Sequence, residues 1–535
     1  MRVKLSILLV NILVILFSFN NSYVAAQENN KSENEVINAE TSKNKEESFN
    51  DNVKKNKLLK LNVNTLVDYL LKNNYDVKKA LLDYKGANSP LLQYQAKYDF
   101  IAIGNGGYSH TENPNAATQS LQGKYTDVGN YMMGLQKNFS SGTTVGVNMT
   151  GIYQNIATSP MTIPGFPVSL NLGGGVGYQT NFKVDLSQEL VKNAFGINDR
   201  LTEQSLKNIT FMNKQLVKMK LTAMLVDFII GYWNIAIAEE FLNTNRIIYN
   251  GTVDIRNLMQ RKAAVGLAEA EEAYDWNSRT LAAKNNLDKS EKSLFDARLN
   301  ILRSLNLDSD INIEVGRTFN TEEPTIKYEQ AVKDAFIKRI DWNNQKVVLN
   351  NANLDLRIAA NMNLPSLKLK ASAGLKDYDA TSYANTFDTF VTDYAASLEL
   401  TYPIGDTGAY VKLRDAKLNY QKQYITLQSM EQNIRDEIVS IVKQCDVSYQ
   451  VFQQTKQSRD YAQNYYYQVL AKFKKGKYNS VQLKMAMDSF AQSKMFEIQS
   501  LIDYNISLLR RDFSRNTVFE NYNIDVDGIL KRIDN

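Results

Sequence analysis

Histidine, cysteine and closely spaced carboxylates are where a chain most often keeps its chemistry, and this one of 535 residues has a single histidine, His110, and a single cysteine, Cys445. The usual zinc sites, a Cys/His nucleophile pair with a spare, and any internal disulfide are out of reach. His110 sits at a predicted strand end and reads as a surface loop residue, while Cys445 lies in a helical run and reads as a small buried hydrophobe. Gly104-Asn105-Gly106-Gly107 falls in a strand-rich stretch and opens no helix, so it is no phosphate cradle. Tyr465-Tyr466-Tyr467, in a long helix, reads as packing rather than as a stacking platform for a ligand. The carboxylates are scattered along helical faces without an evident base or nucleophile. We therefore expect no enzyme, no cofactor and no metal site. Lys plus Arg total 62 against 57 Asp plus Glu, a net +5 too balanced for a nucleic-acid footprint.

The elements that must position any functional residue follow a leader. Arg2 and Lys4 precede an apolar run from Leu5 to Phe19, then Ser22, Tyr23 and Ala25-Ala26. Charge, apolar core and small residues in that order mark a secretory signal over residues 1–26, cut after Ala26. The run is short for a spanning helix, and no cysteine follows the cut to carry an acyl anchor. Residues 27–58 are mostly Asn, Glu, Lys and Ser, a polar leader in which nothing offsets the entropy of ordering. Beyond it no segment reaches the roughly 18 uninterrupted apolar residues of a spanning helix; even Phe228 to Phe241 is broken by Asn234 and Glu239-Glu240. If the mature chain enters a membrane, it does so as strands.

The chain is written twice. Lys72-Asn73-Asn74-Tyr75-Asp76-Val77 is answered by Ile337-Lys338-Arg339-Ile340-Asp341-Trp342, and Ala87-Asn88 by Ala352-Asn353, at an offset of 265. Leu186-Ser187-Gln188-Glu189-Leu190 parallels Leu400-Thr401-Tyr402-Pro403-Ile404 at offset 214, and Gly266 parallels Gly476 at offset 210. The drop of 51 between the first two offsets, 265 and 214, gives the first copy one extra hairpin, at about 131–155.

Each copy has one grammar: helix, strands, long helical hairpin. Leu367, Leu369, Ala371, Ala373 and Leu375 alternate with Lys368, Lys370, Ser372, Gly374 and Lys376, and Tyr394, Ala396, Leu398, Leu400 and Tyr402 repeat the period on the return. Strands apolar on one face and lysine-bearing on the other fit a transmembrane barrel with a wet lumen, although a soluble sandwich strand also alternates. The first copy supplies Asp99 to His110, Tyr131 to Phe139, the turn Ser140-Ser141-Gly142-Thr143, Val145 to Tyr153, and a last strand through Phe182, Val184 and Leu186. Pro160, Pro164, Pro167 and Gly173-Gly174-Gly175 mark a long loop. Fourteen of the 25 glycines fall between residues 101 and 180, against Gly231, Gly251 and Gly266 alone from Arg200 to Asp310, so strands give way sharply to helix. From about Arg200 to Val265 and from about Gly408 to Lys475 the chain is free of proline. A helix of about 65 residues reaches roughly 100 Å. Its apolar positions, among them Leu225, Phe228, Ile229, Trp233, Ile237 and Phe241, need lateral helical neighbours along the whole length.

Over about residues 60 to 515 this order resembles the TolC-like outer-membrane efflux proteins. Leu71-Lys72-Asn73-Asn74-Tyr75-Asp76 is similar to the family's opening helix, Asn363-Leu364-Pro365-Ser366-Leu367 to its helix-to-strand junction, and Leu400-Thr401-Tyr402-Pro403-Ile404-Gly405 to its strand-to-helix turn. Gly231-Tyr232-Trp233-Asn234 is similar to its long-helix signature and Val265-Gly266-Leu267 to its hairpin tip. The resemblance implies an internally duplicated α+β membrane protein. A trimeric transmembrane β-barrel would continue into a long periplasmic α-helical barrel, with the signal peptide removed and the barrel in outer-membrane lipid. The usual member has four strands per subunit and twelve in all; here the additional residues either extend the barrel to six strands per subunit or form an external flap.

On that basis residues 59–310 form the first repeat, with its helical hairpin at 200–305, and 311–325 a linker. Residues 326–515 form the second repeat, with strands over 366–404 and a hairpin at 408–514, and 516–535 a polar tail. The implied function is an exit duct of a tripartite efflux or type I secretion system. A homotrimer passively carries substrate from an inner-membrane pump through a periplasmic adaptor (membrane fusion) protein to the exterior. Val265, Gly266, Leu267, Lys475, Gly476 and Lys477 would be the adaptor-contact tips. Family members often place carboxylates six and nine residues after the second tip glycine, where this chain has Gln482 and Met485; the first copy has Glu272 and Asp275 there, possible pore-entrance acids, with Glu269 and Glu271 nearby. Phe473 and Tyr478 replace the family's usual tyrosine and arginine in a closing network. The competing reading is a non-transporting periplasmic or surface coiled-coil scaffold, which predicts neither a detergent requirement nor ion conductance.

Overall fold

The computed structural model describes residues 58–112, 124–157, 161–162, 169–170, 174–316, 319–325, 327–522, 524–528 and 530. The expected signal peptide, the leader up to residue 57, and Pro160, Pro164, Pro167 and Gly173 of the long loop lie outside them. The first copy runs β1 (Leu58–Leu61), α1 (Val63–Asn73), α2 (Tyr75–Lys85), α3 (Ser89–Gln95), β2 (Phe100–Glu112), β3 (Tyr125–Asn138), β4 (Thr143–Ala157), β5 (Met161–Thr162), β6 (Ser169–Leu170), β7 (Gly175–Glu189), α4 (Ile197–Ala264), α5 (Ala270–Ser304) and β8 (Asn312–Val315). The second runs α6 (Tyr328–Lys338), α7 (Ile340–Met362), β9 (Ser366–Asp379), β10 (Val391–Thr401), α8 (Thr407–Lys474), α9 (Ser480–Ser514) and α10 (Val518–Asn521).

The two copies match to the residue in the lengths of their long helices. α4 and α8 both have 68 residues, and α5 and α9 both have 35. Asn306 and Asn516, at offset 210, end α5 and α9 in the left-handed region at φ 52° and 55°, a conformation asparagine tolerates better than most residues. Each is followed by a residue whose N–H closes the last turn, Leu307 onto the Leu302 carbonyl and Thr517 onto the Asp512 carbonyl, both at 2.9 Å. The Asn74 amide donates to the Ser304 carbonyl at 2.7 Å, and at the equivalent position the Arg339 guanidinium donates to the Ser514 carbonyl at 3.3 Å.

The described residues divide into two compact units, and residues 58–78, 224–324 and 445–509 make up the first. Asn62 starts α1 with a reciprocal cap: its side chain accepts from the Thr65 N–H at 2.8 Å, and its own N–H donates to the Thr65 hydroxyl at 2.9 Å. The segment expected as a linker over 311–325 holds a strand, β8, near its start. β8 pairs in parallel with β1, Leu58 opposite Asn312 through Leu61 opposite Val315, and buries Ile311 and Ile313 beside Leu59 and Leu61. The buried Tyr232 hydroxyl on α4 lies 2.7 Å from the Gly316 carbonyl and 3.2 Å from that of Leu61. One window of α4 is apolar enough by length and composition to cross a membrane, yet 56% of it is buried within the protein. Leu225, Ile229, Tyr232 and Ile235 are almost wholly enclosed, as lateral helix packing requires.

The second unit, residues 79–223, 325–444 and 510–530, contains a six-stranded antiparallel sheet in the order β10-β9-β7-β4-β3-β2. β3 and β4, the hairpin that only the first copy has, pair with each other from Tyr125 opposite Ala157 to Asn138 opposite Thr144, and lie between β2 and β7. They are longer than the alternation alone indicated, because Thr126, Asp127, Asn130 and Asn155 extend the ladder with polar residues. β10 ends at Thr401, since Pro403 lacks the N–H a ladder needs and Gly405 turns the chain at φ 72°. The β9–β10 connection folds back onto the sheet: Tyr383 meets Tyr131 and Tyr178, Phe387 meets Phe182, and the Thr386 and Thr180 hydroxyls are 2.6 Å apart.

Residues expected as a polar tail also fold in. Val518, Val526 and Leu530 are buried, Glu520 pairs with Lys338, and Asp527 pairs with Lys218 at 2.8 Å. Widely spaced apolar side chains within a polar stretch were enough to dock it.

Candidate functional site

Two surfaces concentrate the residues singled out from the sequence. The first is the pair of hairpin tips. α4 and α8 end in the same motif, with Gly266 and Gly476 at φ 71° and 74°. The Leu267 N–H reaches the Lys262 carbonyl at 2.8 Å and the Gly266 N–H that of Ala263 at 3.0 Å. The Lys477 N–H reaches the Lys472 carbonyl at 2.9 Å and the Gly476 N–H that of Phe473 at 3.0 Å. This paired capping needs a left-handed residue, which explains each glycine. Val265 and Leu267 stand out at 68% and 76% exposure, and Lys475 and Lys477 are exposed on the other tip.

Behind the tips the two hairpins share a core. Trp276 is fully enclosed with Met259 on the first hairpin's side and Tyr466, Phe473, Leu483 and Phe490 on the second's. Burial pushes the Tyr466 phenol pKa up, while its neighbours Tyr465 and Tyr467 are exposed. Of the residues the family pattern pointed to, Glu272 and Asp275 both turn toward the second hairpin. The Ser480 hydroxyl donates to Glu272 at 2.8 Å, and Asp275 lies 3.3 Å from Arg279 and 3.6 Å from Lys484. Arg279 also reaches Asp488 at 3.4 Å. Gln482 accepts from the Asn479 N–H at 3.1 Å while Asn479 accepts from the Gln482 N–H at 3.0 Å, a capping box that starts α9. Met485 is exposed, and Phe473 is buried with Tyr478 against it.

Sequence reasoning missed Arg279, Lys484, Ser480 and Trp276. Asp275 and Arg279 carry an i,i+4 signal, and Asn479 to Gln482 carries the spacing of a capping box. Nothing local pointed to Lys484, which is 209 residues from its partner Asp275.

The second surface is the sheet. One face presents Val147, Val184, Leu186, Leu398 and Leu400, each at least 41% exposed. The other carries charge in pairs: Lys370 with Glu399, Lys183 with Asp185 at 3.1 Å, and Lys376 with Asp393 at 3.7 Å. Among the described residues, strands β2 and β10 have no neighbour on their outer sides. His110 lies within β2 rather than in a loop, its Nδ1 2.6 Å from Asp127, which also accepts from the Tyr108 hydroxyl at 2.9 Å. Cys445 is buried, its Sγ 3.3 Å from the Ser507 carbonyl. Among the described residues no group of His, Cys, Asp and Glu is arranged to hold a metal ion.

A duplicated chain that joins an amphipathic antiparallel sheet to paired long helical hairpins has the fold of the trimeric TolC-like channels, and the solved structures bear this out. A membrane protein from Pseudomonas aeruginosa superposes with a TM-score of 0.63 at 15% identity over 85% of this chain and 90% of that one. The CmeC outer membrane channel of Campylobacter jejuni does so at 0.62 and 16% over 88% and 89%. The outer membrane protein VceC of Vibrio cholerae does so at 0.61 and 12% over 86% and 95%. Residues 332–510 match the family of outer membrane efflux proteins. No curated protein sequence matches it.

Proposed function

We propose that this protein is the outer-membrane exit duct of a tripartite efflux or type I secretion system. Three copies join their sheets into one barrel, with the apolar face toward lipid and the paired lysines and carboxylates toward a wet lumen. The helical hairpins join into a periplasmic tube. The carrying observation is the sheet itself: an exposed apolar face backed by a charged one, with both edges unpaired among the described residues, which one chain cannot bury. The chain supplies a passage, and the driving energy comes from an inner-membrane pump.

The tips at Val265-Gly266-Leu267 and Lys475-Gly476-Lys477 are the surface for a periplasmic adaptor, with apolar contacts on one tip and cations on the other. Glu272 and Asp275 lend the entrance negative charge, tempered by Arg279 and Lys484. Purified protein is expected to require detergent, to run as a trimer and to conduct ions in planar bilayers. A compact monomer stable without detergent would end this reading in favour of a scaffold. Gly266→Val should abolish export while trimers persist; unchanged export would remove the tips from the adaptor contact.

A further inference from the structure

The inserted hairpin β3–β4 changes what a closed barrel must be. Paired residues run straight across the sheet from Phe100 to Lys137, Val145, Leu186, Ala371 and Ala396. Phe100 is the first residue of β2, yet β7 continues three residues past Leu186 to Glu189, and β10 continues five past Ala396 to Thr401. The end of the sheet therefore drifts by about one residue per strand. One further step of the same drift sets Phe100 of a second copy opposite position 402, and so Tyr108 opposite Tyr394, Gly106 opposite Ala396 and Gly104 opposite Leu398.

Three features of the sheet fit that register. β2 and β10 run in opposite directions because the strand number is even, so the joint is antiparallel like every other in the sheet. The paired positions keep apolar residues on the face where the sheet is already apolar. Tyr108 and Tyr394, 68% and 85% exposed, lie on that face and gain an aromatic partner. Inside the sheet, tyrosines already sit beside cross-strand glycines: the Tyr131 ring fills the space over Gly151, and Tyr153 and Tyr108 flank Gly129.

We propose that β10 of one copy pairs with β2 of the next in this register, so that three six-stranded sheets close an eighteen-stranded barrel rather than the twelve-stranded one of the usual family member. The proposal rests on the trimeric duct argued above. A drift of one residue per strand makes the shear equal to the strand number, which gives a tilt of about 36°, inside the range for closed barrels. At about 4.8 Å between strands, eighteen strands close at about 34 Å across the backbone against about 23 Å for twelve. The outer mouth is half as wide again.

The test uses the full chain with paired cysteines at Tyr108 and Tyr394, and at Gly106 and Ala396, together with an out-of-register pair at Gly104 and Tyr394. Mass measurement of the uncrosslinked sample comes first. A monomer overturns the duct reading and this inference with it, whereas the outcomes below, in a confirmed trimer, bear on this inference alone. Oxidation should link the two in-register pairs into covalent trimers at least tenfold more efficiently than the third. Trimers linking equally well at all three, or at none, overturn the register. Imaging of the unmutated trimer separates about 34 Å from about 23 Å directly, and the smaller value overturns the strand count. Excising residues 124–157 should narrow the barrel to about two thirds of its width; a trimer of unchanged width overturns the proposal, and if the deletion fails to fold, the imaging of the full chain decides.

Discussion

The two helical hairpins share a backbone and divide the chemistry between them. Their helices match in length and their tip glycines take the same conformation, yet the side chains at equivalent positions are complementary rather than alike. Trp276 in the first hairpin corresponds to Ala486 in the second, and both are 0% exposed in one core. Thr280 corresponds to Phe490, and Ala273 to Leu483. Asp275, paired with Lys484, corresponds to the exposed Met485. After duplication the two copies kept what a helical hairpin needs in order to turn, and diverged in what two hairpins need in order to pack on each other.

The largest break in that complementarity should come from Trp276→Ala, which empties the shared core and should cost about 3–5 kcal/mol. Ala486→Trp overfills the same core and should cost about 1–3 kcal/mol. Limited proteolysis of the tips along a denaturant series reads both, and parent-like resistance in either variant would show that the hairpins do not share a core.

Next comes the joint between the two short helices, where the repeats hold Asn74 and Arg339. Arg339 binds Asp341 at 2.7 Å and Glu437 at 2.8 Å. Burial pushes the Asp341 carboxyl up, but the hydrogen bonds and charge of Arg339, with the Trp342 N–H, outweigh it and hold the pKa below the usual carboxylate range. A depressed folded-state pKa gives stability that is present above the unfolded value, about 4, and lost as pH falls through the folded one. Importing the first repeat's residue as Arg339→Asn should cost about 1–3 kcal/mol at neutral pH and flatten the acid dependence of unfolding below about pH 4. An unaltered acid limb would separate this pair from the pH response.

Gly266→Ala and Gly476→Ala should each cost about 1–2 kcal/mol, since both place a Cβ in the left-handed region without a clash. Equal losses in thermal unfolding would sharpen the equivalence of the tips, and a difference above about 1 kcal/mol would break it. Smallest in stability is Asp275→Asn, whose half-exposed pairs contribute about 0–1 kcal/mol. Its effect should appear in single-channel recordings instead, where Glu272→Gln with Asp275→Asn lowers cation preference; an unshifted reversal potential would place both carboxylates away from the pore.

Much of this molecule could be read from the chain because its signals are local. The alternation from Leu367 to Leu375, the proline-free runs and the two glycines 210 residues apart are legible without any partner. The β8 strand was missed because four residues give too short a period to see, and its partner β1 is more than 250 residues away in the chain. The C-terminal residues were missed because Val518, Val526 and Leu530 are spaced too widely to show a period.

The sequence by itself determined the long helices, the alternating strands, the duplication and the surplus hairpin, since periods of two and 3.6 and the conformational demands of glycine and proline act over a few residues. Only the tertiary structure decided where that hairpin enters the sheet, that Asp275 faces Lys484, and that one tryptophan fills the core of both tips. Register and packing join residues far apart in the chain, and many partners satisfy the same local pattern until the backbone brings one of them within reach.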